Sequence, residues 1–382
     1  MIISRLVLKN WRNFRSFDVR LTNRVFVIGP NASGKSNLLD ALRFLRDIAK
    51  PGGGLQQAIT QRGGLSKVRC LVARKEPDVE IEVELSENGG LAPEYKYSIG
   101  ITQQVRGYRQ PILRSEKVWK NGCPLLDRPD QQDKADELRL TQTHLEQISA
   151  NAAFRPINRF FESIRYLHLV PQLLRHPESF QGPTISEDPY GRNFLEMVAK
   201  TPERTRRSRL RRIEAALREA VPQLTNLTDT KDEAGIPHLE VLYEHWRPNA
   251  GRQREDQFSD GTIRLIGLFW SLLEGEAPLL LEEPELSLHS AIVRKLPNLF
   301  AGLQRKKRRQ LFISTHSWDL LSEKGIGGEE VLMLTPRQEG TDVALASSDQ
   351  QVHDLLDAGL SIADAALPRT APPQLQQLDL FQ

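Results

Sequence analysis

The residues best suited to chemistry lie near the start of the chain, at 29–36, which read Gly-Pro-Asn-Ala-Ser-Gly-Lys-Ser. Two glycines separated by four residues and followed by Lys and Ser form a phosphate-loop pattern, in which backbone N–H groups face phosphate oxygens. The pattern predicts that Lys35 contacts the β- and γ-phosphates of a nucleotide and that Ser36 holds Mg²⁺. The predicted nucleotide-binding residues are Asn31, Ala32, Ser33, Gly34, Lys35, Ser36 and Asn37.

The segments on either side have the patterns that such a loop needs. Residues 25–28 are apolar and predict a buried strand, and apolar residues at helical spacing predict a helix from Ser36 to about Ala49, ending before Pro51. The alternative is an ordinary glycine turn that carries Lys-Ser by coincidence. The order of strand, loop and helix favours nucleotide binding.

A second group of chemically capable residues follows the apolar segment 277–281. Glu282 and Glu283 end this predicted strand. In phosphate-loop ATPases, the carboxylates at that position face Mg²⁺ and the attacking water. An apolar strand ending in two acids is common by itself, so the prediction depends on the loop upstream.

Two further segments are candidates for contacting phosphate. Ser259, Asp260 and Gly261 begin an apolar helix. Either of the first two could simply be an N-cap, but the free N–H groups and dipole of a helix start also attract an anion. His316 follows the predicted strand at 311–314. A single His is more often structural, yet this one is well placed to sense a γ-phosphate.

The composition narrows the class of protein. The chain has 382 residues, 39% of them hydrophobic, so we expect two or three folded domains rather than wholesale disorder. The two cysteines form no disulfide framework or metal cluster, which suits a reducing cytoplasm. No signal peptide and no apolar run of the ~20 residues needed to span a membrane are recognisable, so we expect a cytoplasmic protein without a membrane partner.

Hydrophobic periodicity divides the chain. Residues 2–8 and 17–28 predict strands, and strict alternation at 79–85, repeated from Tyr95, predicts an antiparallel sheet. Clustered glycines between residues 52 and 64 predict a mobile loop. From about 130 to 222 the period is helical. The predicted domains are a first ATPase lobe (1–125), a mainly helical insertion (126–237), a second ATPase lobe (238–367) and a flexible tail (368–382).

Taken together, these segments resemble the ABC-type ATPases of the SMC/RecF superfamily, in particular its RecF- and OLD-like members. The resemblance is carried by residues 8–14, 34–41, 259–264, 283–289 and 314–317. It covers residues 1 to about 320 but says little about the insertion. It implies an α/β fold: an ABC-type P-loop ATPase head with a mixed sheet, an antiparallel β subdomain and a mainly helical insertion.

The resemblance also implies roles for single residues. Lys35 and Ser36 bind phosphate and Mg²⁺, Glu283 polarises the attacking water, and His316 contacts the γ-phosphate. Ser259, Asp260 and Gly261 belong to a signature that caps ATP held by a second subunit, so that ATP joins two copies into a head-to-tail homodimer. The catalytic residues are then Lys35, Glu283 and His316.

Two departures from the family pattern matter. Glu282 stands where most relatives have Asp and is one methylene longer, so its contact with Mg²⁺ can run through water. The glutamine that usually links Mg²⁺ to the lobe interface has no clear position, and the candidates are Gln56, Gln57 and Gln61.

Two basic segments are candidates for contact with DNA. One is a cluster of arginines at 204–212, and the other is the run at 305–309. Neutralising phosphates is the functional interpretation, and a solvated surface is the ordinary one. The overall charge of +3 does not decide between them, and it is the resemblance that favours DNA. The candidate contacts are Arg206, Arg207, Arg209, Arg211 and Arg212.

The end of the chain carries a short motif. Gln377, Leu378, Asp379, Leu380 and Phe381 resemble the pentapeptide that bacterial polymerases and repair proteins insert into the hydrophobic pocket of the sliding clamp. A Pro-rich segment before it predicts a flexible link. The alternative is an ordinary disordered end.

The sequence therefore predicts an ATP-hydrolysing, DNA-associated ATPase that dimerises on ATP. The resemblance implies action in phage defence or DNA repair, with a separately encoded nuclease, commonly of the Toprim type, or another effector. Two alternatives stay open. One is a binding or scaffold protein switched by ATP without turnover coupled to DNA. The other is the ATP-binding subunit of a transporter, which the antiparallel sheet and the arginine-rich insertion disfavour.

Overall fold

The computed structural model describes residues 1–73, 77–87, 92–104, 109–176, 188–244 and 251–371. Its strands are β1 Ile2–Trp11, β2 Phe14–Arg20, β3 Arg24–Ile28, β4 Val79–Ser86, β5 Tyr95–Gln103, β6 Pro111–Lys120, β7 Cys123–Arg128, β8 Arg165–Leu167, β9 Leu224–Lys231, β10 Pro237–Tyr243, β11 Arg252–Arg254, β12 Leu279–Glu282, β13 Leu311–Ser314, β14 Val331–Arg337 and β15 Gly340–Leu345.

The α-helices are α1 Lys35–Ala49, α2 Leu55–Thr60, α3 Leu65–Val68, α4 Gln131–Ala135, α5 Arg155–Ser163, α6 Pro171–Arg175, α7 Phe194–Lys200, α8 Glu203–Leu217, α9 Asp260–Leu273, α10 Ser290–Val293, α11 Leu296–Lys307, α12 Trp318–Leu321, α13 Gln350–Asp357 and α14 Ile362–Ala365. None of these helices is both long enough and apolar enough to cross a bilayer, within the part of the chain described.

The contacts divide the chain into two compact units. The first comprises the described residues of Met1–Arg165, Ala277–Leu280 and Phe300–Gln382, and the second comprises those of Tyr166–Glu276 and Leu281–Leu299. The domain boundaries predicted from the sequence are based on motifs, whereas these two units are defined by contacts in space. The predicted boundaries therefore stay a prediction.

The first unit contains an antiparallel sheet with the strand order β2-β1-β4-β5-β6-β7. In β4 the apolar residues are fully buried while the glutamates between them stay partly exposed, as the alternation predicts. The predicted antiparallel sheet is therefore confirmed. β1 runs on to Trp11, however, and the predicted strand at 17–28 is two strands, because β2 ends at Arg20 and β3 begins at Arg24.

A second sheet has the strand order β15-β14-β3-β13-β12-β8. β3 pairs in parallel with both β13 and β14, whereas β15 runs antiparallel to β14, so the predicted mixed sheet is confirmed. Every residue of β3 is buried, which is why it reads as a continuous apolar run rather than an alternation. This strand leads directly into the loop at 29–34.

The glycine-rich segment after α1 is not the loop that the sequence predicted. It contains α2 and α3, and α2 buries Leu55, Ala58 and Ile59. Gly54 and Gly64 precede the two helices with φ of 118° and 91°, so these glycines start helices instead of filling a loop.

The second unit is built around α8 and α9. α8 buries Leu210, Ile213 and Leu217, as its apolar stripe predicts, and α9 is buried along nearly its whole length. A three-stranded antiparallel sheet of order β11-β10-β9 belongs to the same unit. The region predicted as helical contains α4 to α8, interrupted by β8.

A buried ion-pair network fixes the helix that follows the loop. Arg62 donates from Nη2 to Asp40 at 2.8 Å and to Asp47 at 2.9 Å, and Arg12 donates to Asp40 at 2.8 Å. Burial alone would raise the pKa of Asp40, but the guanidinium groups of Arg62 and Arg12 outweigh it and hold the pKa below its ordinary 3.8. Both aspartates lie on α1, so the network locks that helix against the α2–α3 segment.

Replacing Arg62 with Ala should lower the free energy of unfolding by about 3 kcal/mol at pH 7, since two buried carboxylates lose a shared partner. The stabilisation from a carboxylate of lowered pKa is present above its unfolded-state pKa and disappears as pH falls through the folded-state value. The difference between R62A and the unaltered chain should therefore shrink near pH 3. Denaturant unfolding at both pH values measures this, with exposed R20A as control. A difference that does not depend on pH would contradict it.

Candidate functional site

The loop at 29–34 joins the end of β3 to the start of α1. Lys35, which is 9% exposed, donates from Nζ to the carbonyl oxygens of Gly29 at 2.9 Å and Pro30 at 3.1 Å. The ammonium is thus folded back onto the loop that it terminates. Its carbonyl partners are neutral, so a phosphate oxygen can replace them with a stronger, charge-assisted bond.

The backbone of the loop needs glycine at its two fixed positions. Gly34 has φ +101°, and a Cβ there would lie 2.2 Å from Asn13 Nδ2. A Cβ on Gly29 would lie 2.6 Å from Ser33 Oγ and 2.8 Å from the Leu334 carbonyl oxygen. Ala32 also has a positive φ, of 62°. A side chain at position 29 or 34 would therefore clash with its neighbours, so the observed course of the loop requires glycine at both positions.

The same loop holds an unsatisfied polar atom. Ser33 is fully buried, and its Oγ has no hydrogen-bond partner among the described residues. Ser36 lies on the first turn of α1 and is exposed. The glycine cradle, the Lys35 ammonium and these hydroxyls fit a phosphate group, and the Ser36 oxygen is a donor of the kind that Mg²⁺ prefers.

His316 lies at the same edge of the sheet as the loop. Ser314, the last residue of β13, is level with Val27 of β3, and the Thr315 N–H donates to the Val27 carbonyl at 3.1 Å. His316 follows immediately and is exposed. The contact of His316 with a γ-phosphate stays a prediction.

The two acids of the second unit have distinct environments. Glu282 is the last residue of β12, and its carboxylate accepts a hydrogen bond from the Tyr166 hydroxyl. Glu283 has φ 45°, a left-handed conformation that costs a non-glycine residue on the order of 1–3 kcal/mol and is concentrated at functional sites. The strain is thus stored at the acid to which sequence reasoning gave the catalytic role.

Sequence reasoning missed Tyr166. This tyrosine is 116 residues from Glu282 in the chain, and only the strand order of the second sheet brings β8 beside β12. The additional methylene of Glu282, compared with Asp, is what lengthens its reach. No local pattern in the sequence signals the contact.

The start of α9 is a capped helix N-terminus. Ser259 Oγ accepts a hydrogen bond from the Thr262 N–H at 3.2 Å, and Asp260 accepts hydrogen bonds from Arg175 and, at 3.5 Å, from Gln172. A Cβ on Gly261 would lie 2.9 Å from the Ser287 carbonyl oxygen. The simple N-cap interpretation is therefore present, and binding of a partner subunit's ATP stays a prediction.

Arg264, one turn further along α9, carries a buried charge. It is 5% exposed, and its Nε and Nη1 have no hydrogen-bond partner among the described residues. Burial lowers the pKa of Arg264, and the nearby carboxylates of Asp260, Glu285 and Glu283 oppose that shift. Arg264 also lines a small cavity beside Glu282, so its charge lies on the side of the unit that carries the acids.

The arginines of the cluster have different roles. Arg206 forms an ion pair with Asp229 at 2.8 Å and donates to two backbone carbonyls, and the guanidinium of Arg209 lies 5.1 Å from the centre of the Trp270 ring. Arg206 and Arg209, two of the predicted DNA contacts, therefore already have partners within the chain. The exposed arginines of α8 are Arg204, Arg207, Arg211 and Arg212.

Other candidates are occupied as well. In the basic run at 305–309, Arg309 is 1% exposed and donates to the Ala277 carbonyl at 2.5 Å. Gln56 donates to the carbonyls of Pro111 and Thr141, which leaves Gln57 and Gln61 as the exposed candidates for the metal-linked glutamine. The clamp-like motif at 377–381 lies outside the described residues.

Comparison with known proteins places these features in a family. A family model described as "AAA domain, putative AbiEii toxin, Type IV TA system" matches residues 24–323. Among curated proteins, the DNA replication and repair protein RecF of Clavibacter sepedonicus is 27% identical over 115 residues, which is 30% of this chain and 28% of that protein. RecF of Roseiflexus castenholzii is 28% identical over 118 residues and is matched over 29% of its length. The chain thus matches less than a third of the length of each of these two relatives.

Solved structures show the same fold. An Smc head bound to the C-terminal winged-helix domain of ScpA superposes with a TM-score of 0.52 at 16% identity, covering 90% of this chain and 98% of that one. A Pyrococcus furiosus Smc head with an extended coiled coil, bound to the C-terminal domain of ScpA, gives 0.51 at 13% identity, covering 94% and 99%. The expected ABC-type P-loop head fold of the SMC/RecF superfamily is confirmed, and the chain belongs to the AAA-domain family whose model spans residues 24–323.

Proposed function

We propose that this chain binds ATP with Mg²⁺ at the loop 29–36 and hydrolyses it. The observation that carries the proposal is the position of Lys35, whose ammonium rests on the carbonyls of Gly29 and Pro30 inside a glycine-dependent cradle at the end of a buried parallel strand. Family membership supports it, since ABC-type heads are nucleotide-binding folds.

Each side chain has one task in the proposed reaction. Lys35 and the loop N–H groups hold the phosphates. Ser36 and Glu282 would hold Mg²⁺, which would supply positive charge against the phosphates. Glu283 accepts the proton of the attacking water, and His316 contacts the γ-phosphate. Positioning and charge neutralisation suffice for phosphoryl transfer, so no covalent intermediate on the protein is needed.

We further propose that the chain dimerises on ATP through its signature residues. Ser259 and Gly261 at the start of α9 would face ATP held by a second copy, because free N–H groups at a helix start attract phosphate. ATP would then join two chains head to tail, and hydrolysis would release them. The capped geometry of Ser259 is compatible with this role, since the cap uses only one of the N–H groups of the first turn.

We also propose association with DNA and with an effector protein. The name of the matched relatives, DNA replication and repair protein RecF, and the exposed arginines of α8 support a role on DNA. The Smc heads above were solved bound to domains of ScpA, which supports a protein partner for this fold. The family description mentions a putative AbiEii toxin and a type IV TA system, which supports an effector protein as partner. We propose that this effector is a separately encoded nuclease of the Toprim type or another protein, and that the chain acts in phage defence or DNA repair.

The clamp-like motif adds a further proposed partner. Gln377, Leu380 and Phe381 would supply a polar contact and two apolar anchors to the sliding clamp. Co-elution with the clamp that persists after deletion of 377–382 would contradict this.

Separate variants test binding and turnover. K35A should bind ATP at least about a hundredfold more weakly, since the loop loses its charge.

E283Q should bind ATP normally, turn over at least about a hundredfold more slowly and accumulate as an ATP-bound dimer. Calorimetric titration, phosphate release and light scattering measure the three effects, with K67A on α3 as a charge-matched control. Hydrolysis at the normal rate by E283Q would show that the assigned base is wrong.

DNA contact is tested by separating two groups of arginines. R207A/R211A/R212A should bind DNA at least about tenfold more weakly, with the salt slope of the affinity reduced by roughly two to three, because each lost phosphate contact removes about 0.9. R114A/R252A/R337A removes the same charge at other exposed positions and is the control. Equal losses in the two triple variants would assign the effect to net charge and contradict a specific surface.

An ATPase rate that rises when DNA is added would distinguish a DNA-associated ATPase from an ATP-switched scaffold protein.

A further inference from the structure

The carbonyl oxygen of Ser33, in the middle of the phosphate loop, accepts two side-chain hydrogen bonds from distant parts of the chain. Asn13 Nδ2 donates to it at 2.8 Å, and Thr341 Oγ1 donates at 3.0 Å. Asn13 lies in the turn between β1 and β2, and Thr341 lies on β15. Both residues fall outside the span matched by the family model.

The two donors are held by each other and by the helix after the loop. Asn13 Nδ2 also donates to Thr341 Oγ1 at 2.7 Å, and the Thr341 N–H donates to the Asn13 carbonyl at 2.8 Å. Asn37 on α1 donates to Asn13 Oδ1 at 2.8 Å. The amide of Asn13 is therefore satisfied at both ends, and its orientation is fixed.

The turn that carries Asn13 is itself fastened to α1. Trp11 Nε1 donates to the Asn37 carbonyl at 2.8 Å, and Arg12 forms an ion pair with Asp40 at 2.8 Å. On the other side, Gly340 has φ +125°, and a Cβ there would lie 2.6 Å from the Asn13 carbonyl oxygen. The close approach of the two turns thus depends on a residue without a side chain.

Holding the Ser33 carbonyl determines the direction of the next N–H group. In a trans peptide the C=O and N–H point in opposite directions across one rigid plane. Two hydrogen bonds that pin the Ser33 oxygen therefore point the Gly34 N–H away from Asn13 and Thr341. In a loop that binds phosphate through its N–H groups, this is a contribution to preorganisation.

We propose that Asn13 and Thr341 are positioning residues for nucleotide binding, which clamp the Ser33–Gly34 peptide so that its N–H is directed to a phosphate of a nucleoside di- or triphosphate. This inference rests on the proposed function, because the clamp has a role only if the loop holds a nucleotide. It gives the hairpin β14–β15 a part in the site that no motif assigns.

The test compares Thr341 variants that differ in the hydroxyl alone. T341V removes the donor with little change in shape and should weaken binding of ATP and ADP by about three- to tenfold, the worth of one net hydrogen bond. T341S keeps the hydroxyl and should restore binding to within about twofold. T335V, the same change on β14, is the matched control. N13A removes all three side-chain hydrogen bonds of Asn13 and should cost about tenfold or more.

Three measurements are made on the full chain: the dissociation constants for ATP and ADP by titration calorimetry, the melting temperature without nucleotide, and hydrogen exchange of the peptide that covers 29–37 with and without ATP. The clamp predicts that T341V loses ATP-induced protection in this peptide while T341S keeps it. If N13A does not fold, the comparison of T341V with T341S still shows whether the Thr341 hydroxyl contributes to nucleotide binding.

The outcomes separate the two levels of the proposal. If the unaltered chain binds ATP, K35A does not, and T341V binds as tightly as T335V, then the proposed function stands and the clamp is wrong. If T341S loses affinity as much as T341V, the effect belongs to packing and the clamp is also wrong. If the unaltered chain binds neither nucleotide, the proposed function fails and the clamp fails with it.

Discussion

The peptide between Ser33 and Gly34 is the constraint on which the candidate site depends. It lies between a fully buried strand and a helix held by the Arg62 network, and the left-handed φ of Gly34 permits the chain to turn there without a side chain striking Asn13. Lys35 follows this turn directly and donates to the carbonyls of Gly29 and Pro30. The antiparallel sheet and the hairpin β14–β15 act here as supports for one loop.

In the second unit, the candidate site residues are marked by backbone strain and by a buried charge. Glu283 keeps a left-handed backbone that the surrounding structure must enforce, and Glu282 is directed by the Tyr166 hydroxyl. The buried guanidinium of Arg264 stands on the same helix as Ser259, so the start of α9 and the acids of β12 belong to one electrostatic environment.

The parts of the site that follow local rules could be predicted from the sequence. The loop pattern, the apolar β3 and the helical spacing of α1 each come from contiguous residues, and the structure has α1 within one residue of the predicted start. The segment after α1 was predicted wrongly, because its glycines hid the three buried residues of α2. The Asn13–Thr341 and Tyr166–Glu282 contacts join residues 328 and 116 positions apart, so no periodicity could reveal them. The arginine cluster shows the same limit, since only packing separates Arg206 and Arg209 from their exposed neighbours.

A structure of the chain with Mg²⁺ and a non-hydrolysable ATP analogue would show directly whether the loop 29–36 holds the nucleotide. We expect the triphosphate in the loop 29–36, with Lys35 Nζ moved from the carbonyls of Gly29 and Pro30 to phosphate oxygens and the Ser33 carbonyl still held by Asn13 and Thr341. A triphosphate bound elsewhere, or a Lys35 that keeps both carbonyls while the nucleotide is present, would contradict it.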